Sequence, residues 1–347
     1  MQKGEPFGQT REGEAASLFT LENEQLRVRI TDWGGRMVSI EAPDRAGKRD
    51  HVLLGFDDVG QYITNGGSFG ALLGRNANRI ARADLVVEGQ HYQLIPNDRG
   101  NTSHGGPRGF GMLMWQVASA SDDELVLNHT SPDGDQGFPG ELPVEARYRL
   151  SGGTLSLTLT TSTTQVTDLS LSTHPYFNLA GPTSGDIYGH EVTIAADSFL
   201  PTDVTQMPLG EIRPVAGTPF DFRQPTTIGA RIRQADQQLL VGNGYDHFFV
   251  LEPVTDGQPR FAARLRDPAS GRTLDVHTTQ PGTQLYTANQ LKGVFAGRGG
   301  LIYRQSVGAA FEPQGFPDAA HNANFESCVL RPGETYRQII EFRFSAS

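Results

Sequence analysis

The stretch LSLTL at residues 155–159 places leucine at every second position, with serine and threonine between. A period of two marks a strand with one buried face, because successive side chains of an extended backbone point to opposite sides. Leu26, Val28 and Ile30 repeat the pattern, as do Leu125 and Leu127, and RQIIEFRF at 337–344 reads the same way. Pro332, Gly333 and Glu334 supply a turn just before that last run, so a final hairpin is expected. Helical character is confined to a few stretches such as PTTIGARIRQADQQ at 225–238, where Gly229 interrupts it, leaving one short helix at most.

Composition agrees with many short strands joined by turns. The 347 residues include 41 glycines and 21 prolines, and 37% are hydrophobic, enough for a sizeable core. Strands without alternating long helices imply an all-β fold, a large antiparallel sandwich, with residues 1–347 as one domain. The polar, glycine-rich residues 1–14 are expected to fray. A net charge of −10 argues against nucleic acid and anionic lipid as partners, since phosphate neutralisation needs a basic footprint. No apolar run approaches the ~18 residues of a membrane span, and the start lacks the apolar core of a signal peptide. An unprocessed chain is therefore expected to be cytoplasmic, as a monomer or homodimer. The single cysteine, Cys328, rules out an internal disulfide and reads as a small buried apolar residue.

Four polar clusters carry the chemistry: GRNANRI at 74–80, NTSHGGPRGF at 101–110, THPYFNLAG at 173–181 and AAFEPQGFPDAAHN at 309–322. His104 lies among Gly105, Gly106 and Gly109, which permit backbone geometry closed to other residues and close approach of a ligand to the main chain. A turn histidine serving backbone carbonyls fits that context equally. His174 precedes Pro175, which biases it toward an extended backbone, so its imidazole projects from a strand end. Tyr176 and Phe177 either wall a cleft or join the core, with core favoured for Phe177. Glu312 follows the apolar run Ala309–Phe311, where partial burial would raise its pKa and make it a better proton acceptor; a surface salt bridge is the plain alternative. Asp246 and Gln284 sit at strand starts, suited to hydroxyl recognition, although an aspartate there commonly caps a turn. Arg75 and Asn76 offer guanidinium and amide donors to hydroxyl oxygens, while Arg79 reads as a structural ion pair.

Rival chemistries lack their motifs. No HxH or HExxH pair suggests a metal, no GxSxG elbow a serine hydrolase, and no GxxxxGK[ST] loop a nucleotide. Neither metal nor cofactor is expected. An acid/base site for a neutral small molecule remains.

In order, the clusters together with SPDGDQGFPGEL at 131–142, TPFDFR at 218–223, GYDHFFVL at 244–251 and QPGTQLYTANQL at 280–291 resemble the aldose 1-epimerases, or galactose mutarotases. The likeness spans roughly residues 20–343. It implies a large antiparallel sandwich and an enzyme that interconverts α and β anomers of free aldoses such as galactose and glucose. It further implies Glu312 as general base, His174 as general acid, His104 assisting near the ring oxygen or anomeric centre, and Arg75, Asp246 and Gln284 holding hydroxyls. Asn76 and Tyr176 complete the expected substrate contacts. Pro175, Phe248 and Pro313 depart from the family pattern. Two other readings stay open: a sugar-binding protein with little turnover, and a hexose-6-phosphate epimerase using Arg108 and Arg298 as extra cations.

Overall fold

The alternating leucines of residues 155–159 lie on Thr154–Thr161, near the middle of a nine-stranded antiparallel sheet. The order is Gln116–Ala120, Glu124–Ser131, Leu142–Ser151, Thr154–Thr161, Tyr336–Ala346, Arg272–Thr278, Arg260–Arg266, Glu191–Ile194 and Thr226–Thr227. Register lines the apolar residues into rows. Leu157 faces Tyr148 on one side and Ile340 on the other, and Leu155 faces Leu150 and Phe342. Each fully buried leucine contributes roughly 1.5–3 kcal/mol, and the polar residues between the leucines point to the opposite face. The structure, a computed structural model, describes residues 2–347.

Two five-stranded sheets complete the main architecture. One comprises Glu5–Gln9, Ala15–Glu22, Arg27–Thr31, Met37–Pro43 and Arg49–His51 in sequence order. The other runs Arg213–Pro214, Ser198–Phe199, Asp246–Val250, Gly282–Tyr286 and Ala310–Gln314. A single apolar cluster joins all three sheets: Leu21 and Val28 from the first, Leu157 and Phe342 from the nine-stranded sheet, Phe249, Leu285 and Phe311 from the last. The chain is thus the all-β antiparallel sandwich expected of it. Among the described residues no helix is long and apolar enough to cross a membrane.

Four local expectations need correction. The run 337–344 is a strand but not half of a hairpin: Val329–Leu330, before the turn, pairs with Thr167–Asp168, whereas Tyr336–Ala346 pairs with distant strands. Residues 225–238 contain the helix Ile228–Arg231 and the start of a second, Gln237–Gly242, and a third helix, Val59–Asn65, is capped by the Asp58 side chain. The segment expected to fray is held from Glu5 onward by pairing with Ala15–Glu22, with Phe7 buried; residue 1 lies outside the described residues. Cys328 is only half-buried, its thiol near the Phe316 carbonyl. Phe177 does join the core, against Phe342 and Phe344.

Candidate active site

Strand alternation delivers four side chains to one face of the sheet that ends in Ala310–Gln314. Phe248 faces Gln284 and Gln284 faces Glu312, while Asp246 faces Tyr286 and Tyr286 faces Ala310. Residues opposite each other, and residues two apart, share a face. Asp246, Gln284, Tyr286 and Glu312 therefore point one way, into a cavity of about 190 Å³, and His247, Leu285 and Phe311 point the other, into the core. Ala310–Gln314 is an edge strand, where Pro313 costs no ladder bond. Its carbonyl is clamped by the Ser172 hydroxyl at 2.8 Å and the Gln338 amide at 2.9 Å, which fixes the strand beside Glu312.

The opposite wall comes from two short strand pairs. Ser172–Thr173 pairs with Leu72–Leu73, and His174 follows directly, its backbone tied to Ala71 and Gly70. Arg79–Ile80 pairs with Thr102–Ser103, and His104 follows with a φ of +51°. Gly105 is needed for a reason different from the one expected. A Cβ there would sit 1.8 Å from the Gly74 carbonyl oxygen, so the glycine admits the chain's own backbone and not a ligand.

His174 Nε2 lies 3.4 Å from Glu312 Oε1, with both side chains almost fully buried. The His174 ring stacks on Tyr176 at 4.7 Å and meets His104 edge-on at 5.6 Å. Burial pushes the Glu312 carboxyl well above the ordinary range, Asp246 adding to the rise, and burial likewise drives His174 well below it. Both shifts favour uncharged forms. A proton passed across the gap turns the neutral pair into imidazolium and carboxylate, so either form holds one transferable proton. The Asn78 N–H donates to His104 Nδ1 at 3.2 Å, which leaves the proton on Nε2 and makes His104 a neutral donor; burial pulls its pKa to about 3.

Asp246, Gln284 and Asn78 form a chain of amides and acid, with Gln284 Nε2 donating to Asp246 at 2.6 Å and Asn78 Nδ2 to Gln284 Oε1 at 3.1 Å. Arg79 lines the cavity and is also the ion pair expected of it, bound to Asp98 at 2.7 Å. Burial alone would raise Asp98, but hydrogen bonds from Arg99 and Arg79 hold it near 2.

Of the expected residues, Glu312, His174, His104, Asp246, Gln284 and Tyr176 converge on the cavity, and Arg75 and Asn76 do not. The Arg75 guanidinium donates to the Ser131 hydroxyl at 2.8 Å and to the carbonyls of Pro139, Ser131 and Pro132 at 2.9, 3.0 and 2.6 Å. Asn76 donates to the buried Asp168 carboxyl. Their places in the cavity are taken by Asn78 and Arg79, and the residues missed also include Tyr286, Gln206 and Gln290. GRNANRI holds arginine beside asparagine twice, and nothing in composition says which pair faces the cleft. Arg108 and Arg298 do not line the cavity.

The sequence argument against a metal rested on local motifs, and the fold weakens it. His104, His174 and Glu312 offer ligand atoms within 4.8 Å of one another, a set suited to a divalent ion. Any such ion would occupy the atoms that proton transfer requires. The cavity's other polar groups, Asp246, Gln284, Asn78 and Arg79, are hydrogen-bond donors and acceptors, and the two imidazoles and the carboxyl at its wall are groups able to hold or move a proton, the constellation of an acid/base site.

Comparison with known proteins supplies the class. Residues 17–343 match the family model described as aldose 1-epimerase. Human galactose mutarotase is 42% identical over 335 residues, covering 96% of each chain. The aldose 1-epimerase of Escherichia coli is 35% identical over 339 residues, covering 96% of this chain and 97% of that one. Among solved structures, the aldose epimerase homologue from C. elegans superposes with a TM-score of 0.87 at 27% identity, covering 96% of this chain and 99% of that one. The chain belongs to the aldose 1-epimerase family.

Proposed function

We propose that this enzyme interconverts the α and β anomers of free aldohexoses, galactose and glucose among them, through Glu312 and His174. The 3.4 Å approach of the two groups at the wall of a polar cavity carries the reading. As carboxylate, Glu312 takes the proton from the C1 hydroxyl. The electron pair left on that oxygen forms the carbonyl, the C1–O5 bond breaks, and O5 takes a proton from the His174 imidazolium. Rotation about C1–C2 turns the other carbonyl face toward O5. His174 then removes the O5 proton, O5 attacks C1, and the carbonyl oxygen regains its proton from Glu312. Each group ends as it began, and no other reactant is consumed. His104 donates from Nε2 to the oxygen that gains charge, and Asp246, Gln284, Asn78 and Arg79 hold the remaining hydroxyls.

Polarimetry on freshly dissolved α-D-galactose and α-D-glucose tests this. The protein should speed decay to the unchanged equilibrium rotation, and Glu312→Gln and His174→Asn should each lose about 10²–10⁴ in kcat, the usual worth of a positioned proton-transfer group. Near-normal turnover by both variants would refute the assignment of roles. Glucose 6-phosphate should not be preferred over glucose, because Arg79, the arginine that lines the cavity, is tied to Asp98 and shares the cavity with the Asp246 and Glu312 carboxyls.

A further inference from the structure

The proton chemistry gives no role to Gln206, a buried side chain of the cavity. Gln206 is 4% exposed and lines the cavity from the turn that follows Ser198–Phe199. Asp203 organises that turn. Its carboxylate accepts from the Thr205 N–H and hydroxyl, each at 2.7 Å, and from the Met207 N–H at 3.1 Å, while the Gln206 N–H donates to the Asp203 carbonyl at 2.9 Å. Gln206 itself adopts a φ of +64°, a left-handed conformation unfavourable for a side chain of its kind. The turn thus holds a strained residue in place and aims it inward.

The amide has one possible orientation. Oε1 accepts from Arg79 Nη2 at 2.8 Å and from Arg99 Nη2 at 2.9 Å. A guanidinium has no acceptor, so the amide nitrogen cannot occupy that position. Nε2 is turned away from both arginines and makes no hydrogen bond among the described residues. We propose that Gln206 is a specificity-determining residue, donating a hydrogen bond from Nε2 to one hydroxyl of the bound sugar. The inference rests on the aldose epimerase reading and adds to it a contact on the Arg79 side of the cavity. Gln206 is bonded to the Arg79, Asp98 and Arg99 network and not to Glu312 or His174, so its loss weakens binding and leaves proton transfer intact.

Two substitutions separate contact from scaffolding. Gln206→Glu keeps an acceptor for both guanidinium groups and puts a charged carboxylate oxygen, which cannot donate, where the amide nitrogen stood, whereas Gln206→Leu removes both donor and acceptor. Calorimetric binding and polarimetry are measured with galactose and its 2-, 3-, 4- and 6-deoxy analogues. Galactose binding is expected to weaken about five- to tenfold in Gln206→Glu, the worth of one neutral hydrogen bond, with kcat within about twofold. One deoxy sugar should bind wild type and Gln206→Glu equally, which names the hydroxyl. Galactose binding unchanged in both Gln206→Glu and Gln206→Leu, or an equal loss for every analogue, would overturn the assignment. Wild-type binding without accelerated rotation would sink the epimerase reading, while the binding series still decides on Gln206. No binding of any of these sugars by wild type would overturn both.

Discussion

Tautomer is the property on which the role proposed for His104 depends, and a backbone amide sets it. Because the Asn78 N–H can only donate, His104 Nδ1 must accept, and the ring keeps its proton on Nε2. Nitrogen-detected NMR should find Nδ1 unprotonated between pH 5 and pH 7, with no titration until pH falls toward about 3. A doubly protonated ring at pH 5.5 would contradict the assignment. Arg75 offers the opposite case, a charged residue whose function is to hold loops. Arg75→Met strands the buried carbonyls of Ser131 and Pro139 and the part-buried one of Pro132, and is expected to cost about 3–5 kcal/mol in urea unfolding, while the folded variant keeps its KM for galactose. A raised KM with unchanged stability would return Arg75 to the sugar. At this scale the sequence singled out side chains that do line the cavity wherever one stood alone in its motif, as with His104, His174 and Glu312. It failed inside GRNANRI, where two arginines and two asparagines compete for one role and only the pairing of Arg79–Ile80 with Thr102–Ser103 decides between them.

Strands supply the site's geometry, and their alternation was legible. Period two assigned the core faces of Thr154–Thr161 and Tyr336–Ala346 from leucine, isoleucine and phenylalanine alone. The partners of those strands were not legible, because a turn signal speaks only for neighbours in sequence; hence the expected hairpin, which does not form. The two-stranded element Thr167–Asp168 with Val329–Leu330 carries its own consequence. Burial pushes Asp168 from an ordinary 3.8 up to about 7, against the lowering effect of the Asn76 hydrogen bond. The folded state therefore holds a proton that the unfolded chain has already released. This contribution to stability is fully present below pH 3.8 and is lost as pH rises through about 7. Asp168→Asn retains an acceptor for Asn76 and abolishes the dependence. Its melting temperature should gain on that of wild type as pH is raised from 4 to 8, by the equivalent of at most about 4 kcal/mol. A difference that stays flat with pH would show that Asp168 is ionised in the fold.

On the scale of the whole molecule, the sheets are joined by contacts that span the chain. The core links Phe19 to Phe342, and the cavity draws its walls from segments as far apart as Asn78 and Glu312. Such a topology closes loops at high entropic cost before any contact repays it, so refolding from urea should be slow, on the millisecond-to-second scale or longer. Stopped-flow fluorescence of the two tryptophans would measure it, and a microsecond phase carrying the full amplitude would contradict the expectation. Tyr336–Ala346 lies between Thr154–Thr161 and Arg272–Thr278, pairing with both. During synthesis those two strands emerge well before the one that separates them, each with an unpaired edge toward the gap. The polysome-bound chain is thus a pair of open templates for intermolecular β-pairing, and the nine-stranded sheet cannot close until residues 336–346 have cleared the ribosomal exit tunnel.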